Sequence, residues 1–250
     1  MSELPDSIDN AIKNITDSPT RMIGKVICAV IDRHLRHYLN HYQLTQLIDE
    51  RCNEELNKRL DSGISQIPAD KLINPDPHTI LLSLDNLPSC ISSEELRNLF
   101  ANLIAHSCHS DYSHFIHPSF AEVIRQMSPY DAKVLKFYND TKPDRLITYS
   151  FYNDHEVFDR VSYAFDEYPF PDETIQVSLS ISSLIRLGIL AFHTDAIASP
   201  ADDSPFKNSD FYKQCEIARV KEGKYSRSYI SGKPCVLTPY GQAFVIACLD

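Results

Sequence analysis

Ile91-Ser92-Ser93-Glu94-Glu95-Leu96-Arg97-Asn98-Leu99-Phe100-Ala101-Asn102-Leu103-Ile104 is the stretch whose reading decides the fold. Ser92 and Glu95 stand at the spacing of a capping box, in which a hydroxyl caps the first amides of a helix and a carboxylate three residues on returns the bond. Ile91 and Leu96 stand where a hydrophobic staple would close over that start. Leu96, Leu99, Phe100, Leu103 and Ile104 then recur at three- and four-residue steps, the apolar stripe of one helical face. The expectation is a core helix from Ser93 to about Ser107.

Helical character extends on both sides. Upstream, Ile23, Ile27, Ile31, Leu35, Tyr38 and Tyr42 keep a helical step, and Leu44, Leu47, Ile48, Leu56 and Leu60 carry it to Gly63, which reads as a stop. One helix or two, broken near Asn40, fits that pattern equally. Residues 64–90 carry Pro68, Pro75, Pro77 and Pro88 and read as a wrapping connection with a short buried segment at Ile80, Leu81, Leu82 and Leu84. Downstream, His117-Pro118 and Ser128-Pro129 each place a polar cap before a proline at the first helical position. They lead to Phe120, Val123, Ile124 and Met127, and to Val134, Leu135 and Tyr138.

Past residue 140 the texture changes. Leu146 to Tyr152 is aromatic and β-branched, Thr174 to Val177 alternates, Leu179 to Leu187 reads as a helix stopped by Gly188, and Ile189 to Phe192 reads as a strand. Thr194 to Ser209, rich in Asp, Ser and Pro, reads as a flexible insertion. Cys215 to Val220 and Tyr225 to Ile230 flank Glu222-Gly223-Lys224, which reads as a hairpin turn. Val236-Leu237 leads through Thr238-Pro239 to a closing helix with Phe244, Val245 and Cys248. The expected fold is therefore mainly α, of the α+β class. It has a helical body over 1–127 and, over 128–250, a winged-helix-like half with a small β hairpin.

Composition sets limits on function. With 250 residues, 43 % of them hydrophobic, the chain can bury a real core. Its 24 basic and 34 acidic residues give a net charge of −10, which opposes non-specific attraction to nucleic acid or to anionic membranes. The seven cysteines are scattered, odd in number and never arranged as Cys-x-x-Cys, which fits reduced thiols in a cytoplasm. Met1-Ser2-Glu3-Leu4-Pro5-Asp6 has neither the basic nor the apolar part of a secretion signal. The apolar run Met22 to Ile31, interrupted by Lys25, is shorter than the ~20 residues of a membrane span. A cytoplasmic protein without a membrane span is expected.

Six blocks in order resemble the abortive infection alpha (Abi-alpha) family of bacterial proteins, over residues 64–137 and 175–248. They are Ile67-Pro68 with Pro75; Glu95-Leu96-Arg97-Asn98-Leu99-Phe100-Ala101-Asn102-Leu103; His117-Pro118-Ser119-Phe120; Ser128-Pro129-x-Asp131-Ala132; Leu184-Ile185-Arg186-Leu187-Gly188; and Leu237-Thr238-x-x-Gly241-x-x-Phe244. The resemblance implies a part in anti-phage abortive infection and carries no catalytic residues over to this chain.

Candidate sites are few. His106, His109, His114 and His117 lie close in sequence, and His34, His37 and His41 share a helical face, but a zinc site needs three or four converging ligands with supporting partners. No metal and no cofactor is expected, with His117 as a helix cap instead. Glu95 and Asp131 read as helix-start carboxylates and not as an acid–base pair, and Cys108 lacks the paired base that a nucleophile needs. Six glycines in the whole chain leave no phosphate loop or nucleophile elbow. Arg21, Lys25, Arg33 and Arg36 read as a solvated face ahead of a membrane-surface helix. The basic cluster Lys213, Arg219, Lys221, Lys224, Arg227 and Lys233 is the strongest local feature, and Arg219, Lys221, Lys224 and Arg227 from it, with Arg186, form the candidate interaction surface.

The expected function is a non-enzymatic interaction protein of abortive infection that works through contacts with a host or phage protein. The runner-up is a winged-helix nucleic-acid binder, and the third reading is an enzyme with a site that no motif reveals. Self-association stays open.

Overall fold

A computed structural model of the chain describes residues 46–143, 145–165, 173–192 and 203–249, with Ala29 alone before them. It shows two compact units, one drawn from Met1–Gln126 with Ala243–Asp250 and the other from Met127–Gln242. The sequence-expected segment 128–250 is thus not kept whole, because its last eight residues belong with the first unit. The expected helices and basic residues between 20 and 45, and residues 194–202 of the insertion, lie outside the described residues.

The first unit is helical. Helix α1 spans Gln46–Ser65, α2 Pro77–Asn86, α3 Glu94–Ser107 and α4 Phe120–Gln126. Leu56, Leu60 and Ile64 repeat every four residues on α1, and all are buried against the core that Leu99, Phe100, Leu103 and Ile104 supply from α3. Gly63 does not stop α1. It sits where α1 presses on α3, and a Cβ placed on it would stand 3.1 Å from Ala105 Cβ. The connection over 64–90 holds a full helix, since Asp76 caps α2 by accepting from the Thr79 amide at 3.1 Å and Pro77 takes the first position, where a missing N–H costs nothing.

The start of α3 is one residue later than the capping box reading. Ser93 is the cap, accepting from the Leu96 amide at 3.3 Å, and Glu95 takes the Ser93 hydroxyl at 3.0 Å. Buried Arg97 donates to the Ile91 carbonyl at 2.6 Å and pairs with Glu55 of α1 at 2.7 Å, tying the two helices. The helix expected to begin at Pro118 starts two residues later at Phe120, and His117 bonds the turn ahead of it, its Nδ1 accepting from the Ser119 amide at 3.2 Å. The C-terminal segment closes this core, for Phe244 is buried edge-on against Phe120, with ring centroids 5.2 Å apart.

The second unit joins helices to a four-stranded antiparallel sheet. Helix α5 spans Pro129–Thr141, β1 Arg145–Tyr152, β2 Val157–Phe165, α6 Thr174–Arg186, β3 Leu190–Phe192, α7 Ser204–Lys207, α8 Asp210–Glu222, β4 Arg227–Leu237 and α9 Pro239–Phe244. The strand order is β2-β1-β4-β3. Ser128 and Asp131 form the capping box of α5, and the same Asp131 accepts from Ser183 of α6 at 3.0 Å. On β1, Ile147, Tyr149 and Phe151 point to one face and form a core with Phe206, Cys215 and Tyr225.

Three readings of this half are corrected. Thr174 to Val177, read as an alternating stretch, is the first turn of α6, since Thr174 and Val177 turn inward together at a helical spacing. The end of the insertion is ordered, with Ser204–Lys207 helical and Ser209 capping α8 through the Tyr212 amide at 3.2 Å. Most consequentially, Glu222-Gly223-Lys224 is no hairpin turn. Cys215 to Val220 is helical, and Gly223, at φ 66°, is the left-handed cap that ends α8. The hairpin of the unit is instead β1 with β2, closed by Asn153, whose side chain accepts from the amides of His155 and Glu156 at 2.8 and 3.0 Å. No helix among the described residues is long and apolar enough to cross a membrane.

Candidate functional site

The basic cluster does not form one surface of unpaired charge. Arg219, on α8, turns inward and holds Glu216 at 2.7 and 3.2 Å while its other nitrogen donates to the Tyr225 carbonyl at 3.2 Å. Glu216 also takes the phenolic hydrogen of buried Tyr149. Burial alone would push the Glu216 carboxyl up, but hydrogen bonds from Arg219, Tyr149 and Ser228 outweigh it and hold the group below its ordinary range. Arg219 therefore holds Glu216, which in turn ties α8 to Tyr149 of β1. Lys224 pairs with Glu156 at 2.8 Å and lies over the Tyr225 ring, and Lys213 stands 3.5 Å from Asp210. Lys233 lies over Phe192. Lys221, in the last turn of α8, and Arg227, the first residue of β4, are exposed.

Arg186 lies on a different kind of surface. On α6 the residues Ile175, Leu179, Ser182 and Arg186 follow at steps of four, three and four, so they share one face, and all four are exposed. Ile175 is 57 % and Leu179 67 % exposed, whereas Val177, Ile181 and Leu184 on the opposite face are fully buried. The outward face of α6 thus carries the apolar Ile175 and Leu179 over its first half, with Ser182 and Arg186 toward its end.

The histidines separate. His114 packs on Phe115 and His117 on the start of α4, while His106 and His109 flank Tyr112 at the end of α3. Among the described residues no three of His, Cys, Asp and Glu gather as a metal-binding set. Glu95 and Asp131 serve at their helix starts. Cys108 is buried, its thiol pushed up to about 11 by burial, so at neutral pH it is not a thiolate. Asn102 and His106 reach the C-terminal carbonyls of Cys248 and Ala247, and with His109, Tyr112, Arg59 and Gln66 they line a cleft beside α1 and α3. Sequence reading missed this cleft because Arg59 comes from a helix whose polar side carries no motif, and Gln66 from the turn that follows it.

Several residues that carried the resemblance hold the fold together. Thr238 accepts from the Gly241 amide at 2.8 Å and donates to the Gly188 carbonyl, and its own amide donates to Ile189 at 3.0 Å. Gly241 admits no side chain, since a Cβ would stand 2.1 Å from the Ile189 carbonyl oxygen. Asn98 receives Arg59, Leu96 and Phe100 are buried, and Pro118 leads into the turn before α4. Comparison with known proteins agrees with that distribution: the family model for abortive infection alpha matches residues 46–248. No curated protein and no solved structure matches the chain. With the match running through both units, the chain belongs to the abortive infection alpha family.

Proposed function

We propose that this chain acts in anti-phage abortive infection as a protein-contact module whose contacting surface is the outward face of α6. The observation that carries the reading is the exposure of Ile175 and Leu179 on that face. Adjacent large apolar side chains left to solvent on a rigid helix mark a surface that a protein partner covers. A winged-helix reading of this unit would make α6 the groove-facing helix, although β1 and β2 precede it and α7 and α8 separate β3 from β4. A nucleic-acid reader needs donors for base edges and cations for phosphates. Here Arg186 is the single cation on that face, and Arg219 and Lys224 are engaged by Glu216 and Glu156. Reduced, buried thiols at all six described cysteines accord with action in the cytoplasm.

The test pairs binding with protection. Leu179→Asp should leave the unfolding curve near wild type, because the side chain is exposed, yet abolish protection in a plaque assay. Wild-type protein should bind labelled duplex DNA no tighter than the ~10⁻⁴ to 10⁻⁶ M of non-specific contacts at physiological salt. Nanomolar, salt-sensitive binding lost on reversing Lys221 and Lys224 would replace this reading with the nucleic-acid one.

A further inference from the structure

The sheet of the second unit has one closed face and one face that opens at its end. Ile147, Tyr149 and Phe151 of β1 are buried with Phe206 of α7, Cys215 of α8 and Tyr225. Side chains alternate along a strand, so Ser150 and Tyr152 stand on the opposite face. There the register sets Tyr152 across from Arg227 of β4, and Ser150 across from Tyr229. Tyr229 is 60 % exposed, Arg227 is exposed and Tyr152 is half-buried. Val157 of β2 pairs with Tyr152 from the other side and is exposed as well. Farther along the same face Leu146 and Cys235 are buried, which confines the opening to the end that carries the two tyrosines.

Tyr152 and Tyr229 lie on the two central strands of the order β2-β1-β4-β3, one diagonal step apart, about 7–8 Å along the sheet. Aromatic rings so placed on an open sheet can each take one base of a single strand, because every base has a flat face and an unpaired base leaves it uncovered. Cations flank the ring on β4: Arg227 stands two residues before Tyr229 and Lys233 four after, on the same face, and both are exposed. Lys233 lies over the Phe192 ring, a contact that leaves its charge in place. Asp159, which the register puts on this face opposite Ser150, belongs to β2, two strands from β4. Ser231, between Tyr229 and Lys233, offers a hydroxyl to a ribose 2′-OH, the group that separates RNA from DNA.

We propose that this end of the sheet binds a short single-stranded RNA, with bases stacked on Tyr152 and Tyr229 and the phosphates following β4 from Arg227 to Lys233. Two cations and two rings make a local contact against a net charge of −10, so the bound strand is short and the binding depends on the rings as much as on charge. A duplex, whose bases already cover one another, has nothing to place on the tyrosines. The inference does not rest on the α6 face.

Fluorescence anisotropy of the full chain with labelled oligouridine of about eight nucleotides, within the span of known single-strand sites, tests it. Oligouridine should bind more tightly than ~10⁻⁴ M at physiological salt, and oligodeoxyuridine of the same length and an RNA duplex should both bind more weakly. Tyr229→Ala should weaken oligouridine by about fivefold or more, the lower end for one stacked base, whereas Tyr229→Phe, which keeps the ring, should not. Arg227→Gln should lower the slope of log affinity against log salt by about 0.7, the share of one phosphate contact on a single strand. Both side chains are exposed, so the melting temperature of each variant should stay near wild type. Leu179→Asp should leave RNA binding unchanged, which separates this site from the α6 reading. The proposal falls if oligouridine binds no tighter than ~10⁻⁴ M, if Tyr229→Ala and Arg227→Gln both bind it like the wild type, or if the duplex or the deoxy strand binds as tightly. Absence of RNA binding together with loss of plaque protection in Tyr229→Ala would make this face a second protein contact and overturn the RNA assignment.

Discussion

Glu216 shows how a single side chain can decide what a charged segment does. Its carboxylate gathers Tyr149, Arg219 and Ser228, so a cation that looked available to a partner is bound beside the core of the second unit. A carboxyl held below its ordinary pKa in the folded state contributes stability that is fully present above the unfolded value, ~4.3, and is lost as pH falls through the depressed folded value. Glu216→Gln should therefore cost about 1–3 kcal/mol at neutral pH, the range for leaving a buried polar partner poorly matched. The gap from wild type should shrink as urea unfolding is repeated from pH 6 down to pH 3. Parallel stabilities across that window would show that the carboxylate charge is not coupled to folding.

At the scale of elements, α3 is the case where local and tertiary signals agree. Phe100 has no exposed surface, and Leu99, Leu103 and Ile104 around it are buried as well, so Phe100→Ala should lose about 3–5 kcal/mol of unfolding free energy by chemical denaturation. An unchanged midpoint would put the ring outside the core. The cap of α3 slipped by one residue because Ser92 and Ser93 offer the same hydroxyl, and only the backbone decides which one faces the Leu96 amide. Helix α8 was unreadable for a different reason. Its apolar residues follow no stripe, Cys215 being buried while Ile217 and Val220 are 68 % and 69 % exposed, and glycine serves equally in a hairpin turn and in a helix cap. The basic residues were visible as types, but their fates depended on partners far along the chain, Lys224 directly on Glu156 and Arg219 through Glu216 on Tyr149. The cleft was invisible for the same reason, since its walls meet only when α1, α3 and the C-terminal carbonyls are brought together.

At the scale of the whole chain, the first unit is interrupted in sequence: the backbone leaves it after Gln126, builds the second unit, and returns at Ala243. The returning residues are not a loose end. Phe244 is fully buried on Phe120, Val245, Ala247 and Cys248 are buried, and the carbonyls of Ala247 and Cys248 take the side chains of His106 and Asn102. Removing 243–250 would open the α3–α4 core, leaving Phe120 without its ring partner and two polar side chains without theirs, and losses of these kinds add over one shared cavity. The truncated chain should thus lose hydrogen-exchange protection in α3 and α4 while the β1–β4 pairing of the second unit keeps its own, because that sheet is built wholly from residues 145–237. Loss of protection in both units to the same degree would show that they unfold as one cooperative body. Unchanged protection in α3 would show that the C-terminal segment is not part of that core.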